Sequence, residues 1–484
     1  MAATLHLPVD RRLPAPIYRQ VYHGLRGAIL DGRLRPGQRI PSTRGLAADL
    51  GVSRLPVLSA YEQLLHEGYL VGRTGAGTYV SDAVPDDLLR PATPGRTAAA
   101  PRVTAVERPP TSAWHLPIVP FQGGLPALDL FPRAQWAKLV ARQLRDETPE
   151  RLSYTDQEGL AELRAAVAEH VRSSRAVRCE ADQVLIVPGS QAALRIAAAA
   201  LLIPGDRVAI EEPGYFGAHR AFQAARADLV PVPVDDEGLD VAALRRRGRS
   251  VRAVYVTPSH QYPLGMTMSA ARRFSLLDWA ERQQAWIVED DYDSEFRYVS
   301  RPIGALQGMD ARGRVIYVGT FSKALYPALR LGYLVVPPAL WQRFLQARGA
   351  YDFFTPTLYQ RALARFLRAG HFASHLRRMR GAYLERRDAL LRGLAKNCGD
   401  LLRVRHSDAG LHVTALLEGG LRDLDVIARL HGRGLAAIPL SNASLGTDRR
   451  QGLMLGFGCS TPRQLLDATR ILGEVLRESA GVRA

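Results

Sequence analysis

Lysine is scarce in this sequence. Of its 64 basic residues only three are lysines, Lys138, Lys323 and Lys396. Lys323 is unusual because it lies at the end of a strand-like apolar run, residues 317–323, that finishes in small and hydroxyl residues. Arginine stays protonated, whereas a desolvated lysine can lose its proton and attack a carbonyl. Two interpretations of Lys323 follow, an incidental surface lysine and a lysine that forms a Schiff base.

Cysteines and long apolar runs are also few. The three cysteines, Cys179, Cys398 and Cys459, are scattered and odd in number. This pattern argues against a disulfide framework or a metal site, and it favours reduced thiols in the cytoplasm. We find no run of 18 apolar residues and no basic-then-apolar leader. We therefore expect no metal, no membrane span, no signal peptide and a cytoplasmic location.

Acidic residues are outnumbered, 47 against 64 basic ones, which gives a formal net charge of +17. An arginine-rich genome would explain this excess, and so would a polyanionic partner. Charge alone does not choose between them, because a basic surface attracts any nucleic acid without specifying one. The 484 residues suffice for two or three domains with a large core.

Residues 1–81 have the pattern of three short helices and a hairpin. Apolar residues recur at helical spacing between residues 17 and 29. Ser42 is expected to cap a second helix and Ser53 a third, with Gly51 between them. Two strands around a glycine-rich tip follow, so the unit is predicted to be a winged helix-turn-helix. The apolar side of the third helix is expected to hold Val57, Tyr61, Leu64 and Leu65.

Basic and hydroxyl residues lie where such a unit would meet DNA phosphates, and helix N-termini add N–H groups and a positive dipole end. The alternative is a three-helix packing module whose arginines are merely solvated. The pattern favours a double-stranded DNA operator as partner. The expected DNA-binding residues are Ser42, Thr43, Arg44, Ser53, Arg54, Arg73, Gly75 and Gly77.

Residues 82–112 contain six prolines and no apolar period, which predicts a semi-stiff linker. From 113 to 484, short apolar runs alternate with helical stretches. This alternation predicts an α/β domain with a mainly parallel sheet and helices on both faces. The expected strands are residues 184–187, 207–211, 253–257, 285–289 and 315–319, and the clearest helices are 191–202 and 270–284.

The ends of these strands carry the groups that a pyridoxal-phosphate site requires. Asp290 could pair with the pyridine nitrogen, and the turn at residues 188–191 offers N–H groups to a phosphate. Thr320 and Arg330 flank Lys323 and could clamp the same anion. Taken singly these signals are weak, because carboxylate clusters and glycine turns are common elsewhere.

Two stretches resemble known families. RPGQRIPSTRGLAADLGVSR at 35–54, AYEQLLHEGYL at 60–70 and GAGTY at 75–79 resemble the GntR-family winged-helix domain. One departure is Leu55-Pro56, where that family usually has a polar pair, so base readout is not carried over to these two positions. Residues 150–340 resemble fold-type-I aminotransferases, and specifically the aminotransferase-like domain of the MocR subfamily of GntR regulators. The motifs are SYTDQEGLAELR at 153–164, EEPGYFG at 211–217, TPSHQYPLG at 257–265 and EDDYDSEFRY at 289–298.

This resemblance implies a large domain with a smaller C-terminal α+β subdomain and pyridoxal 5′-phosphate as cofactor. Lys323 would form the Schiff base, Asp290 would pair with the ring nitrogen, and Tyr292 would hydrogen-bond the ring oxygen. His260 lies near a position where aminotransferases use asparagine, and its role stays open. Ordinary packing is the alternative for His260 and for Tyr215, which would stack on the ring. The phosphate loops would contribute Gly189, Ser190, Gln191, Thr320, Ser322 and Arg330.

Two departures from the resemblance concern the effector. Met454 stands where catalytic aminotransferases place an arginine for the substrate carboxylate. His219, with Arg220 beside it, stands where this subfamily often has another arginine. An efficient α-amino-acid transaminase is therefore disfavoured, and sensing of the cofactor, an amine or a differently held amino acid is favoured.

The leading hypothesis is a cytoplasmic transcription regulator in which the cofactor, or its adduct with an amine, modulates operator binding through Lys323. The resemblance implies a homodimer with a swapped, head-to-tail arrangement. One alternative is an active aminotransferase with an accessory DNA-binding domain. Another is a C-terminal scaffold that never binds cofactor.

Overall fold

The computed structural model describes residue 7 and residues 9–83, 117–247, 250–298, 304–405, 408–446 and 449–481. The chain divides into two compact units, Met1–Ser112 and Ala113–Ala484. Apart from residues 82 and 83, the predicted linker lies outside the described residues, so the domain limits at 81 and 113 stay predictions. Within the described ranges, no helix is long and apolar enough to cross a membrane.

The first unit has three helices, Ile17–Leu30, Thr43–Asp49 and Arg54–His66, and an antiparallel hairpin of β1 (Leu70–Arg73) and β2 (Gly77–Val80). The side chain of Ser42 accepts a hydrogen bond from the backbone N–H of Gly45, which confirms it as an N-cap. Ser53 occupies the N-cap position of the third helix, but the prediction that its side chain caps this helix is wrong. Ser53 has the extended backbone of a cap but makes no capping hydrogen bond.

One apolar core joins the helices and the wing of this first unit. Leu65 is wrongly predicted to face it, since its side chain is 37% exposed. The preceding Leu64 already fills the inward position of that turn, and successive helical residues point about 100° apart. The core includes Val21, Leu25, Leu46, Val57, Tyr61, Leu64, Leu70 and Val80.

The second unit is built on an eight-stranded sheet with the order β3-β10-β9-β8-β7-β4-β5-β6. From β9 to β5 along this order, each of the four neighbouring pairs of strands is parallel. The strand β10 is antiparallel to both its neighbours. As a result β3, β4, β7, β8 and β9 all end at the same edge. The strands are β3 (Val184–Val187), β4 (Arg207–Glu212), β5 (Asp228–Asp235), β6 (Gly238–Leu239), β7 (Val251–Val256), β8 (Trp286–Asp291), β9 (Val315–Thr320) and β10 (Gly332–Val335).

All five predicted strands are present, but β5, β6 and β10 were not predicted. Helices cover both faces of the sheet, as predicted. Along β8, for example, Ile287 packs into one apolar cluster and Val288 into another. The helices of this part are Arg133–Arg145, Ala161–Arg175, Ser190–Leu201, Phe216–Ala224, Val241–Arg247, Ala270–Gln283, Leu306–Met309, Trp341–Tyr351 and Thr357–Arg368.

The C-terminal part is a smaller α+β layer, also as predicted. Its antiparallel sheet has the order β11-β12-β14-β13. One face of this sheet, including Val413 and Leu455, packs into a large apolar cluster with the neighbouring helices. The strands are β11 (Leu402–Val404), β12 (His412–Leu417), β13 (Ile438–Pro439) and β14 (Gly452–Gly456), and the helices are His371–Asn397, Asp423–Gly432 and Pro462–Ser479.

Candidate functional site

The ends of the parallel strands bring most of the predicted cofactor residues to one edge of the large sheet, where open α/β sheets place ligands. Lys323 follows the end of β9 and is partly buried. Its Nζ donates a hydrogen bond of 2.7 Å to the carbonyl oxygen of Gly124. Burial lowers the pKa of Lys323, while the charges of Asp293 and Asp290 raise it. A lysine with a lowered pKa more readily becomes the neutral amine that attacks a carbonyl.

Asp290 lies near the end of β8 and has two differently engaged oxygens. The hydroxyl of Tyr255 donates to Oδ2 at 2.8 Å, whereas Oδ1 is buried and has no hydrogen-bond partner among the described residues. Burial raises the pKa of Asp290 to about 7, against the lowering effect of the Tyr255 hydrogen bond. A buried acceptor without a donor is costly. A protonated ring nitrogen would donate a hydrogen bond to Oδ1, so Asp290, together with Tyr255 behind it, fits a pyridinium.

The pKa of Asp290 leads to a prediction for the cofactor-free protein. Its folded-state pKa of about 7 exceeds the unfolded value of about 3.9. The folded state therefore binds more protons between these values, and stability falls as pH rises from about 4 to about 7. Asp290→Asn cannot ionise and is expected to raise the melting temperature by a few degrees at about pH 8 and hardly at about pH 4.

Thermal melts of both cofactor-free proteins at the two pH values measure this difference. With cofactor bound, the order is expected to reverse, because the wild type then gains an ion pair. An Asp290→Asn effect of equal size at both pH values would contradict the assignment of the ionisation to Asp290.

Tyr292 belongs to a buried polar cluster rather than standing alone. Its hydroxyl lies 2.9 Å from Nδ1 of His260, and that nitrogen is 3.1 Å from both carboxylate oxygens of Asp293. A proton on Nδ1 satisfies the Asp293 carboxylate, and the Tyr292 oxygen can then only accept from it. The proton of the Tyr292 hydroxyl remains available to a ligand oxygen. His260 is thus a neighbour of Tyr292 and not an isolated packing residue.

The predicted phosphate loops also converge. Nη2 of Arg330 donates to the carbonyl of Pro188 at 2.7 Å, and a Cβ on Gly189 would lie 3.3 Å from Nη1 of Arg330. Gly189 has φ +88°, directly before the helix Ser190–Leu201, whose first N–H groups point toward this turn. Arg330 is itself in the left-handed region, with φ +53°. The turn is therefore a glycine-lined, positively charged cradle of the kind that suits a phosphate.

The remaining predicted residues adjoin this cradle. Nε2 of Gln191 donates to the hydroxyl of Tyr215 at 3.2 Å. The backbone N–H of Ser322 donates to Oγ1 of Thr320 at 3.2 Å. Thr320 is paired with Gly332, and a Cβ on Gly332 would lie only 3.1 Å from Cα of Gly189. The ends of β9 and β3 therefore lie on either side of the start of β10.

Four residues near the site were not predicted from the sequence: Tyr255, Asp293, His412 and Gly124. The imidazole rings of His412 and His260 are 5.3 Å apart, and burial lowers the pKa of His412 to about 4, so this ring is neutral at pH 7. The adjacent glycines Gly123 and Gly124 were the sequence signal that another group could approach the backbone closely at this point. Within the described ranges, no group of three His, Cys, Asp or Glu side chains could hold a metal ion.

The positions expected to recognise an effector carboxylate carry no arginine. Met454 lies on β14 and is 2% exposed. His219 is 4% exposed, its Nε2 has no hydrogen-bond partner among the described residues, and burial lowers its pKa to about 4. Arg220 is exposed, with its guanidinium 5.7 Å from the ring centre of Phe216.

The first unit presents its predicted DNA-binding residues at the two helices and the wing. Arg44 and Arg54 are exposed, and Nε of Arg54 donates to Oγ1 of Thr43 at 3.3 Å. Arg73 lies over the ring of Tyr79 at 4.6 Å. Leu55 is 69% exposed, so the apolar departure noted in the sequence lies on the surface. The wing glycines, Gly75 and Gly77, have φ of +77° and +111°.

Comparison with known proteins matches both units. Residues 17–80 match the family described as bacterial regulatory proteins, gntR family, and residues 127–439 match aminotransferase class I and II. The chain is 40% identical over 470 residues to the probable rhizopine catabolism regulatory protein MocR of Rhizobium meliloti, covering 96% of this chain and 95% of that protein.

Two further proteins are similar over most of their length. The chain is 33% identical over 461 residues to the HTH-type pyridoxine biosynthesis transcriptional regulator PdxR of Corynebacterium glutamicum, covering 95% of each. Among solved structures, LysN, the alpha-aminoadipate aminotransferase of Thermus thermophilus, superposes with a TM-score of 0.71 at 31% identity. That match covers 76% of this chain and 94% of LysN, which was crystallised with N-(5'-phosphopyridoxyl)-L-leucine.

Proposed function

Because the chain belongs to the MocR subfamily of GntR-family transcriptional regulators, we propose that it binds a DNA operator with an affinity that its pyridoxal-phosphate site controls. The observation that carries this proposal is the union of two features in one chain. The first unit exposes arginines on a winged helix. The second keeps Lys323 at one sheet edge together with Oδ1 of Asp290, which has no hydrogen-bond partner in the described part of the chain.

Each residue of the site has a proposed task. Pyridoxal phosphate bound here would supply an aldehyde for Lys323 and an electron-accepting ring. Asp290 holds a proton on the ring nitrogen, and Tyr255 orients Asp290 from β7. Tyr292 donates to the ring oxygen, with His260 and Asp293 orienting its hydroxyl. Tyr215 stacks on the ring. The phosphate is held by Gly189, Ser190, Gln191, Thr320, Ser322 and Arg330.

We further propose a homodimer, with a head-to-tail arrangement as the resemblance implies. Its support in the structure is a group of exposed apolar side chains on the second unit. Leu152 is 71% exposed, Tyr154 83% and Phe353 59%, and the ring of Tyr154 lies 6.0 Å from that of Phe354. Exposed apolar groups of this kind mark interaction surfaces. Sedimentation equilibrium of the full chain tests the dimer, and a monomer at micromolar concentration would contradict it.

Two DNA-binding units in one particle would bind two half-sites with a gain from effective concentration. A ligand changes operator affinity only as far as it binds one conformation more tightly than another. The effector is proposed to be the cofactor itself, an amine or an amino acid. A cytoplasmic location is part of the same proposal, because the operator and the free cofactor are both found there.

Titration of the full chain with DNA from its own promoter region tests this function. Operator affinity is expected to change at least about fivefold when pyridoxal phosphate is added, the lower end of ordinary allosteric coupling, which is about 5- to 150-fold. Fluorescence anisotropy at fixed salt measures this change. Equal affinity with and without cofactor, together with sustained transamination at about 1 s⁻¹ or faster, would favour an aminotransferase with an accessory DNA-binding domain.

A further inference from the structure

A row of side chains crosses the small C-terminal sheet. Met454 is directly paired with Thr414 on one side and with Ile438 on the other. Directly paired residues of antiparallel strands point to the same face, and so do residues two apart along one strand. His412 therefore belongs to the same face as Thr414. We call His412, Thr414, Met454 and Ile438 the neutral row.

The neutral row contacts two segments, one at Pro263 and one at Gly123, and the second of these adjoins Lys323. Oγ1 of Thr414 donates to the carbonyl of Pro263 at 2.5 Å, and Nε2 of His412 lies 3.2 Å from the same oxygen. At the other end, a Cβ on Gly123 would lie 2.6 Å from Cδ1 of Ile438. The next residue, Gly124, accepts the hydrogen bond of Lys323. Met454, in the middle of the row, is buried but is not part of the apolar cluster on the opposite face of the sheet.

No side chain of the row carries a positive charge at pH 7. Met454 and Ile438 are apolar, and the hydroxyl proton of Thr414 is already donated to Pro263. The His412 ring is neutral because burial lowers its pKa to about 4. The carboxyl groups that act electrostatically on Lys323 are those of Asp293 and Asp290, and both raise its pKa. A ligand carboxylate against the neutral row would lie near Asp290 and Asp293 and would find no cation among the side chains of the row, which is unfavourable in a desolvated site.

We propose that the effector site beside Lys323 accepts a primary amine that carries no acidic group. The substituent of the amine lies against Met454 and Ile438 and is apolar or neutral, and the amine nitrogen faces Lys323. This inference rests on the proposed function, since it names the class of effector for the same site. It explains why a site that keeps Lys323 and Asp290 has Met454 and a neutral His219 where acid-binding arginines were expected.

Calorimetric titration of the cofactor-loaded full chain with matched ligand pairs tests the proposal. The pairs are tyramine and tyrosine, propylamine and γ-aminobutyrate, and ethylamine and taurine, each differing by one acidic group. In every pair that binds, the member without the acid is expected to bind at least about tenfold more tightly. Equal or tighter binding of the acidic member in any pair overturns the proposal, and so does failure of all three amines to bind.

Met454→Arg tests the neutral row itself. The variant is expected to bind the acidic members at least about tenfold more tightly than the wild type does, because the row then contains a cation. Met454→Leu is the matched control and should keep the wild-type preference. Cofactor content and melting temperature report whether either variant folds, and the wild-type pairs decide the question if the arginine variant does not.

These outcomes are distinguishable from failure of the proposed function. If the wild type retained no cofactor, or if operator affinity were the same with and without cofactor, the regulator proposal itself would fail. If cofactor binding and operator response were both present and the acidic ligands bound best, only the effector class would be wrong.

Discussion

Lys323→Ala is expected to abolish the response of operator binding to pyridoxal phosphate and to weaken cofactor retention by at least about 100-fold. The variant removes the amine at the end of β9, whose Nζ is hydrogen-bonded to Gly124. The phosphate cradle around Gly189 and Arg330 is left intact, so some weak binding should remain. A loss of about 100-fold corresponds to about 2.7 kcal/mol.

The measurement is the absorbance of the bound cofactor after gel filtration, combined with operator anisotropy with and without cofactor. Lys323→Arg is the informative second variant, since it keeps the charge but cannot form an imine, and it should fail in the same way. Lys138→Ala, at an exposed position of the helix Arg133–Arg145, is the control and should behave as wild type. Retention of both the absorbance and the operator response in Lys323→Ala would refute the assignment.

Arg44→Ala combined with Arg54→Ala is expected to weaken operator binding by about tenfold or more at physiological salt while cofactor binding persists. Both side chains are exposed near the N-terminal ends of their helices, where backbone N–H groups also face outward. Each lost phosphate contact reduces the slope of log affinity against log salt by about 0.9. The double variant should therefore lower that slope by about 2.

Salt titrations of operator affinity measure this slope directly. Arg403→Ala is the matched control, because it removes the charge of an exposed arginine in the second unit, where Arg403 pairs with Glu418. An equal loss of affinity in Arg403→Ala would mean that net charge, rather than contact by the winged helix, governs binding. An unchanged slope in the double variant would show that these arginines do not touch phosphates.

Sequence patterns predicted most of the fold because the decisive signals were local. The five predicted strands are short apolar runs, and each was found within a few residues of its expected limits. The strand β5 was missed because Pro231 and Pro233 interrupt it. In the structure β6 pairs only with Val234 and Asp235, so neither proline has to donate a backbone hydrogen bond to β6, and proline is tolerated at such an edge.

Part of the candidate site could be proposed from the sequence for the same reason. Lys323, Asp290 and Arg330 stand in recognisable runs, and the strand ends that carry them meet at one edge. Tyr255 could not be found this way, because only the pairing of β7 with β8 brings its hydroxyl to Asp290. His412 and Gly124 come from the C-terminal layer and from the start of the second unit, far from Lys323 in sequence. Their positions are a consequence of tertiary packing.

The hydrogen bond between Lys323 and Gly124 joins residues 199 positions apart in the chain. Gly124 belongs to the first described stretch of the second unit, and the nearby backbone of Phe121 and Gly456 forms a β-bridge to the small sheet. A lysine nitrogen that becomes bonded to a ligand can no longer donate to Gly124 in the same way. The chemical state of Lys323 is therefore expected to decide whether this restraint on the backbone at Gly124 is present.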